Sequence, residues 1–239
     1  MAFRFGVVVF PGSNCEQDVQ YALSYLGYEA RYVWHQERQL HGFDALVLPG
    51  GFSYGDYLRC GAVARFSPVM DAVVSFAEAG GPVMGICNGF QILTEAHLLP
   101  GALLRNIGLK FLCQPVSLRV EQSVCLWTLP EDAGRVLRIP INHNEGNYIC
   151  DADTLKALRA NKQIVLRYVG DNDNDTGDDS GQLYQAPNGA LDNIAGICNA
   201  AGNVFGLMPH PERVVDGISG CTDGRALFNS LVRRMVGVS

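Results

Sequence analysis

The stretch PVMGICNGF, residues 82–90, places a cysteine between an apolar run typical of a buried strand and a run typical of a helix. Gly85 and Gly89 flank Cys87 in the G-x-nucleophile-x-G pattern of a nucleophile elbow. Such a turn presents its central side chain above a sheet, and the N-terminus of the following helix favours thiolate over thiol. A buried structural cysteine beside a tight turn is an equally good interpretation of these residues alone, so the hypothesis requires a base elsewhere.

Strand-like apolar runs alternate with helical stretches in the first half of the chain, which is typical of a parallel sheet covered on both faces. Strands are predicted at 6–10, 45–48, 82–86, 163–169, 194–198 and 204–208, and helices at 13–27, 67–80, 90–98 and 222–235. Ser13 and Glu16 have capping-box spacing. Alternation in 110–120 and 123–127 predicts antiparallel strands added to the sheet. We expect an α/β fold with a mostly parallel central sheet, in a single domain over 1–239.

The composition is that of an ordinary globular protein of 239 residues, 48% hydrophobic and 18% charged. A net charge of −6 argues against nucleic acid or an anionic membrane as partner, because both would repel the chain. No apolar run reaches the ~18 residues that span a bilayer, and the N-terminus lacks a secretory signal. Eight dispersed cysteines without a CxxC pair fit reduced thiols rather than a zinc site. We expect a cytoplasmic protein without a bound metal.

An acidic segment, GDNDNDTGDDSG at 170–181, imitates the opening of a calcium-binding loop. Thr176 occupies the position that needs glycine, and Gln182 the position that needs a bidentate glutamate. The flanking sequences are also typical of strands rather than helices. We therefore expect a mobile acidic surface loop.

His210 is the best candidate for the base that Cys87 needs. It lies in GLMPHPER, residues 206–213, where a predicted strand ends and two prolines hold an extended segment. Glu212 follows at i+2, on the same side of an extended chain, where its carboxylate can bind one imidazole nitrogen and fix the tautomer. Cys87, His210 and Glu212 would then form a catalytic triad whose members follow one another in that order along the chain. An ion pair between Glu212 and Arg213 is the competing interpretation.

A glycine-rich segment, PGGFSYGD at 49–56, follows the predicted strand at 45–48. It lacks the Gly-Lys-Ser/Thr of a phosphate loop and the dinucleotide fingerprint. Its free N–H groups can reach the mouth of the elbow, where Gly51 and the backbone of Asn88 are candidates for oxyanion donors. By composition alone, a simple glycine-rich connection is the better interpretation.

Together, these three segments resemble the class I, triad-type glutamine amidotransferases, whose fold is flavodoxin-like. More narrowly, nearly the whole chain is similar to the glutaminase subunits of phosphoribosylformylglycinamidine synthase. The narrower resemblance is carried by FPGSNC (10–15), PGGFSYGDYLR (49–59), GICNGFQ (85–91), LRN (104–106), PINHNEG (140–146) and GLMPHPER (206–213). One segment departs from the pattern, since His-Asn-Glu-Gly stands at 143–146 where His-Gly-Glu-Gly is expected.

The resemblance implies a role for each residue of the triad. Cys87 would be the nucleophile, His210 the general acid and base, and Glu212 the group that orients the histidine. Gly85 and Gly89 would form the elbow around the nucleophile.

The resemblance also implies roles for residues around the triad. Gly51 and Asn88 would form the oxyanion hole through their backbone N–H groups. Gln91, one helical turn after the nucleophile, would help to hold the substrate glutamine. His143 and Glu145 would lie near the interface with a synthetase.

The implied activity is hydrolysis of glutamine to glutamate and ammonia, which passes to a separate PurL-type synthetase subunit. That partner would use ATP and Mg²⁺ to convert formylglycinamide ribonucleotide to formylglycinamidine ribonucleotide in purine biosynthesis, often with a small PurS-type third subunit. This chain would need no cofactor. One alternative is a hydrolase or redox protein of the DJ-1/PfpI-like type, which shares the elbow but does not need His-x-Glu. The other is a catalytically silent docking protein.

Overall fold

The computed structural model describes residues 3–170 and 185–237, so the acidic segment predicted at 170–181 lies outside the described residues from position 171 onward. The strands of the described part are β1 (Arg4–Val9), β2 (Glu29–Trp34), β3 (Ala45–Leu48), β4 (Val83–Ile86), β5 (Ala102–Leu104), β6 (Leu112–Val120), β7 (Val136–His143), β8 (Asn147–Ile149), β9 (Ile164–Val169), β10 (Ile194–Cys198) and β11 (Val204–Leu207). Its α-helices are α1 (Glu16–Tyr25), α2 (Pro68–Glu78), α3 (Asn88–Glu95), α4 (Ala152–Ala160) and α5 (Arg225–Val236).

Nine of these strands form one sheet in the order β2-β1-β3-β4-β11-β10-β9-β6-β7. The pairs from β2 to β11 are parallel. The pairs from β11 to β7 are antiparallel. Strands β5 and β8 form a separate antiparallel pair. The predicted α/β fold, a parallel sheet extended by antiparallel strands and flanked by helices, is confirmed.

The centre of the sheet is buried on both faces. Strands β3, β4 and β11 are buried at every position, although successive side chains of a strand point to opposite faces. Full burial of one Val, Leu or Ile side chain contributes ~1.5–3 kcal/mol. The continuous apolar sequence of these strands therefore both selects the central position and stabilises it.

Three neighbouring parallel strands bring the candidate site together. Strand β3 is followed by residues 49–51, β4 by Cys87, and β11, three residues later, by His210. Strand β4 pairs with β3 on one side and with β11 on the other, so the carboxyl ends of all three lie at the same edge. This edge is where open α/β sheets carry their ligand sites.

The strand predicted at 123–127 is wrong. Buried side chains at Cys125 and Trp127 do produce the alternation that suggested it. However, the backbone N–H of Val124 donates to Lys162 O, and that of Leu126 donates to Gly202 O. The segment therefore forms its backbone hydrogen bonds with loop residues and does not pair with a strand. Alternating burial occurs in both a strand and an irregular segment of this kind, so it does not distinguish them.

The capping box predicted at Ser13 and Glu16 is also wrong. Helix α1 begins at Glu16 with Cys15 as its N-cap, and no side chain caps it. The Ser13 hydroxyl instead accepts a hydrogen bond from Phe10 N at 3.1 Å and donates one to Phe10 O at 2.8 Å. Ser13 therefore stabilises the turn after β1 rather than the start of the helix.

No helix within residues 3–170 or 185–237 is long and apolar enough to cross a bilayer.

Candidate active site

Cys87 occupies a strained backbone position between β4 and α3. Its φ of 51° and ψ of −105° lie in a region that residues with a side chain rarely adopt. Its backbone N–H donates to Leu207 O of β11 at 2.8 Å, which fixes the turn to the neighbouring strand. Strain of this kind costs about 1–3 kcal/mol and persists only where the surrounding structure enforces it.

The surrounding structure has no room for side chains at the two glycines of the elbow. A Cβ at Gly85 would lie 2.6 Å from the carbonyl carbon of Gly89. A Cβ at Gly89 would overlap the carbonyl oxygen of Leu48 in β3. The turn can therefore approach β3 closely only because both residues are glycine.

His210 and Glu212 form a buried hydrogen bond at the same edge of the sheet. Nδ1 of His210 lies 2.6 Å from Oε1 of Glu212, and the two residues are only 1% and 2% exposed. Because a carboxylate oxygen accepts, Nδ1 carries the proton and Nε2 is left as the basic nitrogen. The competing ion pair of Glu212 with Arg213 is not what the structure shows, since Arg213 pairs with Asp18 at 3.5 Å.

The charges around His210 favour its protonated form. Burial by itself lowers the pKa of His210. The charges of Glu212 and Cys87, together with hydrogen bonds to the thiols of Cys15 and Cys87, outweigh burial and raise this pKa well above its ordinary value. The arrangement therefore stabilises the imidazolium that forms when His210 accepts a proton.

Gly50 allows the imidazole to lie next to the nucleophile. A Cβ at Gly50 would lie 2.7 Å from Cε1 of His210 and 3.4 Å from Cβ of Cys87. The thiol of Cys87 also lies 3.8 Å from Asn142 O. The absence of a side chain at Gly50 thus leaves the space in which the two reacting groups meet.

The two candidate oxyanion donors border the elbow. Asn88 is the first residue of α3, and its N–H belongs to the helix N-terminus. Gly51 has a φ of 130°, and a Cβ there would lie 2.6 Å from the backbone nitrogen of Asn14. The Asn88 side chain accepts from Ser53 N at 3.1 Å, which ties the segment after Gly51 to α3.

A cavity of about 360 Å³ opens over these groups. Its wall includes Asn14, Cys15, Gly51, Phe52, Asp56, Cys60, Cys87, Gln91, residues 142–145, His210 and Arg213. The cavity therefore contains the candidate nucleophile, its base and one candidate oxyanion donor. Its volume suits a ligand of amino-acid size.

Gln91 links α3 to the far wall of the cavity. Its Nε2 donates to Glu145 O at 2.6 Å, and its Oε1 accepts from Asn88 Nδ2 at 2.9 Å. The residue is 4% exposed. The amide therefore positions the segment around Glu145, and its contact with a substrate stays a prediction.

His143 is a buried and neutral residue of the cavity wall. Its Nδ1 donates to Asn106 Oδ1 at 3.1 Å. Burial, and secondarily the charge of His210, lowers the pKa of His143 to about 4. With 3% exposure its side chain offers little surface to a partner, whereas Glu145 lies nearer the surface and is 3.6 Å from Arg105.

Two residues of the site had no role in the sequence analysis. Cys15 lies beside His210, and Arg213 Nη2 donates to its Sγ at 3.4 Å. The position of β1 provides the missing signal, because β1 is parallel to β3 and its carboxyl end reaches the same edge. Cys15 and Asn106 each belong to a segment that carried the resemblance, FPGSNC and LRN. Asn106 Oδ1 accepts hydrogen bonds from His143 Nδ1 and Gly146 N.

Comparison with known proteins is consistent with this geometry. Residues 2–223 match the family model of the CobB/CobQ-like glutamine amidotransferase domain. The phosphoribosylformylglycinamidine synthase subunit PurQ of Moorella thermoacetica is 55% identical over 232 residues, covering 96% of this chain and 95% of the relative. The same subunit of Synechococcus elongatus is 55% identical over 228 residues, covering 95% and 96%.

Two solved structures are similar to this chain, one in sequence and fold and the other in fold alone. A chain in the structure of PurLQS from Thermotoga maritima is 43% identical, with a TM-score of 0.85 and coverage of 98% of this chain and 100% of that one. A glutamine amidotransferase from the same organism, 14% identical, has a TM-score of 0.55 over 99% and 93% of the chains and shows the fold alone. The chain therefore belongs to the glutamine amidotransferase family and, within it, to the PurQ subunits of phosphoribosylformylglycinamidine synthase.

Proposed function

We propose that this chain is the glutaminase subunit of phosphoribosylformylglycinamidine synthase, and that Cys87, His210 and Glu212 are its catalytic triad. The observation that carries the assignment of the triad is the 2.6 Å hydrogen bond between His210 and Glu212, both buried beside the strained Cys87. The DJ-1/PfpI-like alternative is not favoured, because relatives named PurQ align with nearly the whole chain.

The first half of the reaction forms a thioester. His210 takes the proton of Cys87, and the thiolate attacks the carbon of the glutamine side-chain amide. The negative oxygen of the tetrahedral intermediate accepts hydrogen bonds from the backbone N–H groups of Gly51 and Asn88. Loss of one such donor costs about 3–4 kcal/mol of transition-state stabilisation in other acyl-transfer enzymes. Imidazolium then donates its proton to the amide nitrogen, the C–N bond breaks, and ammonia leaves.

The second half releases glutamate. His210, neutral after ammonia departs, takes a proton from water as the water attacks the γ-glutamyl thioester. Collapse of the second tetrahedral intermediate breaks the C–S bond and restores the thiolate. Glu212 stays ionised throughout and stabilises the imidazolium that forms in both halves. These steps use groups of the protein alone, so we expect this chain to need no metal or organic cofactor.

The released ammonia is delivered to a PurL-type synthetase, where ATP and Mg²⁺ drive formation of formylglycinamidine ribonucleotide. In bulk water at neutral pH, ammonia would be protonated and lost as a nucleophile. A docked complex, with a PurS-type third subunit, keeps it unprotonated. We place this assembly in the cytosol, where the eight free thiols of this chain would stay reduced.

We place the docking surface around the cavity mouth. The mouth loop (residues 52–61) exposes Tyr57 by 76% and Leu58 by 95%, while Phe52 of the same loop lines the cavity. Residues 104–111 add exposed apolar side chains next to Arg105, which contacts Glu145 of the cavity wall. Clustered exposed apolar side chains of this kind mark protein–protein contact sites.

The test is release of glutamate and ammonia from glutamine, by the purified chain alone and with its synthetase and small subunit. We expect weak release alone and a strong rise with the partners, ATP and formylglycinamide ribonucleotide. Cys87→Ala should abolish release under both conditions, while Cys113→Ala, an exposed cysteine, should not change it. Absence of glutamine hydrolysis by the wild-type complex would refute the assignment.

A further inference from the structure

Two carboxylates line the cavity that holds Cys87, and neither has a part in the steps above. Asp56 comes from the mouth loop and Glu145 from the segment after β7. Glu145 lies 3.6 Å from Arg105, which offsets part of its charge. Asp56 has no cationic partner among residues 3–170 and 185–237. This part of the wall therefore carries negative charge that the neighbouring side chains do not fully offset.

The thiol of Cys60 lies between the two carboxylates. It is within hydrogen-bond distance of both Asp56 and Glu145. Burial, followed by these two carboxylates, raises the pKa of Cys60, so the thiol stays protonated. Burial also raises the pKa of Asp56, and the charge of Glu145 raises it further, against the hydrogen bonds from Cys60 and Asn88. A cationic group bound here would relieve the repulsion between the carboxylates.

Helix α3 places these carboxylates about one helical turn from the nucleophile. Asn88, the residue after Cys87, donates from Nδ2 to Asp56 Oδ1 at 3.2 Å. Gln91, one turn after Cys87, donates from Nε2 to Glu145 O at 2.6 Å. A helical turn rises ~5.4 Å, which is similar to the length of the four bonds between the amide carbon and the α-nitrogen of an extended glutamine. A glutamine whose amide reaches Cys87 can therefore bring its α-nitrogen to the carboxylates.

We propose that Asp56, with Glu145 beside it, binds the α-ammonium group of the substrate and so selects an α-amino acid amide over other primary amides. An ammonium group supplies both a positive charge and three N–H donors, which carboxylate oxygens accept. Arg213, the arginine of the same cavity wall, donates to Cys15 Sγ instead and pairs with Asp18. This role of Asp56 rests on the proposed glutaminase function, because it takes glutamine as the substrate.

The test compares two substrates of the complete complex, glutamine and glutaramate, which is glutamine without its α-ammonium group. Both contain the same side-chain amide, so Cys87, His210 and Glu212 act on each in the same way. A hydrogen bond to a charged group changes affinity by about 10–100-fold. We therefore expect the wild type to hydrolyse glutaramate with a kcat/KM about 10–100-fold below that for glutamine, mainly through a higher KM.

Asp56→Asn removes the charge with little disturbance of the loop. Asp56 has a φ of 53°, in the left-handed region that asparagine tolerates, and the asparagine Oδ1 can still accept from Asn88. This variant should raise KM for glutamine about 10–100-fold, with a smaller effect on kcat. The ratio of the two kcat/KM values, glutamine over glutaramate, should decrease toward one.

Two further variants refine this comparison. Glu145→Gln should decrease the ratio less than Asp56→Asn does, because Arg105 already offsets part of the charge of Glu145. Asp71→Asn, the same substitution at an exposed carboxylate of α2, should leave the ratio unchanged. Since both substrates are measured on the same complex, weaker docking of the synthetase would lower both rates alike and would not alter the ratio.

Two results would overturn the proposal. An equal loss on both substrates in Asp56→Asn would show a purely structural role, and a wild type that hydrolyses both substrates equally would show no recognition of the ammonium group. A wild-type complex that does not hydrolyse glutamine would refute the glutaminase function instead. Calorimetry on the Cys87→Ala complex then decides on the ammonium site. Glutamine should bind about 10–100-fold more tightly than glutaramate, and adding Asp56→Asn should remove this difference, whereas equal binding of the two ligands would refute the site.

Discussion

Nδ1 of His210 and Oε1 of Glu212 lie 2.6 Å apart, and both residues are buried beneath the cavity that holds Cys87. We expect Glu212→Gln to keep the packing and lower kcat by about 10³–10⁴, with little change in KM for glutamine. A glutamine side chain can present its NH₂ to the ring, which fixes the wrong tautomer and removes the charge that holds the imidazolium. Glutamine hydrolysis by the complex measures this effect.

The control for this change is Glu121→Gln. Glu121 pairs with Arg119 at 2.9 Å and is not part of the cavity wall, so its neutralisation should leave kcat within about twofold of the wild type. A Glu212→Gln variant with wild-type kcat would show that the carboxylate does not serve the histidine.

The elbow should fail when Gly89 gains a methyl group. A Cβ there would overlap Leu48 O in the centre of the sheet, so Gly89→Ala should lower the free energy of unfolding by about 3 kcal/mol or more, beyond ordinary overpacking. Gly108→Ala is the matched control, because nothing lies within 4 Å of a Cβ at that position. Urea denaturation of both variants compares them directly. Equal stabilities would mean that α3 can move away from β3.

His143 should make stability depend on pH in a defined direction. Its pKa is about 4 in the folded chain, where burial disfavours the charge, and about 6.5 when unfolded. Between these values the unfolded chain binds more protons, so stability is highest above pH ~6.5 and falls as pH decreases toward 4. From pH 7 to pH 5 this residue should account for a loss of about 2 kcal/mol.

The measurement is urea denaturation at pH 7 and pH 5 of the wild type and His143→Gln. The variant should lose about 2 kcal/mol less between the two conditions than the wild type. His41→Gln, a change at an exposed histidine, should retain the full wild-type difference. If His143→Gln shows the same difference as the wild type, His143 is not the buried neutral group described above.

Leu58 should contribute to binding of the synthetase. Leu58 is 95% exposed in the mouth loop, so its side chain contributes little to the stability of the isolated chain. Burial of this side chain against a partner would contribute to the free energy of binding. Leu58→Asp should weaken the complex at least ~10-fold, since loss of a well-packed apolar contact costs more than about 1.4 kcal/mol. Titration of the synthetase against glutaminase activity gives the affinity.

Ile218→Asp provides the comparison for Leu58→Asp. Ile218 is also highly exposed, at 87%, but it does not line the cavity and its N–H bonds Asp216, which contacts Tyr21 of α1. Ile218→Asp should leave the affinity of the chain for the synthetase unchanged. A complex insensitive to Leu58→Asp would move the docking surface away from the mouth loop.

The centre of the molecule was predictable from sequence because its signals are local. Strands β3, β4 and β11 are short, continuously apolar and fully buried, and each is followed by the segment that carries chemistry. Strand pairing then brings Gly51, Cys87 and His210 together without further information. A parallel sheet converts three distant segments into neighbours, which is why the candidate site followed from the pattern.

The periphery was not predictable in the same way. Strand β2 lies at the edge of the sheet and exposes Tyr32 and Trp34, so it lacks the apolar run of a central strand. Helix α4 buries only Leu158, and its main signal is the N-cap at Asp151, which accepts from Thr154 N at 2.7 Å. Strand β7 was not predicted either. Residues 140–143 of this strand were recognised only as part of the motif PINHNEG, which carried the resemblance.

The position of Cys15 beside His210 became visible only in the tertiary structure. Its thiol meets His210 only because α1 and β1 bring residue 15 to the edge where β11 also ends. No spacing in the sequence relates position 15 to position 210. Contacts of this kind depend on how helices and strands pack against one another, and they produce no periodic pattern in the sequence.

The most direct test of the account is to find which thiol reacts with glutamine. The probe is an electrophilic glutamine analogue that carries a diazoketone in place of the side-chain amide, and peptide mass spectrometry locates the adduct. We expect one adduct per chain, on Cys87, suppressed by excess glutamine, retained in Cys15→Ala and absent in Cys87→Ser. An adduct on Cys15 or on several thiols, or labelling that glutamine does not suppress, would contradict Cys87 as the nucleophile of a glutaminase.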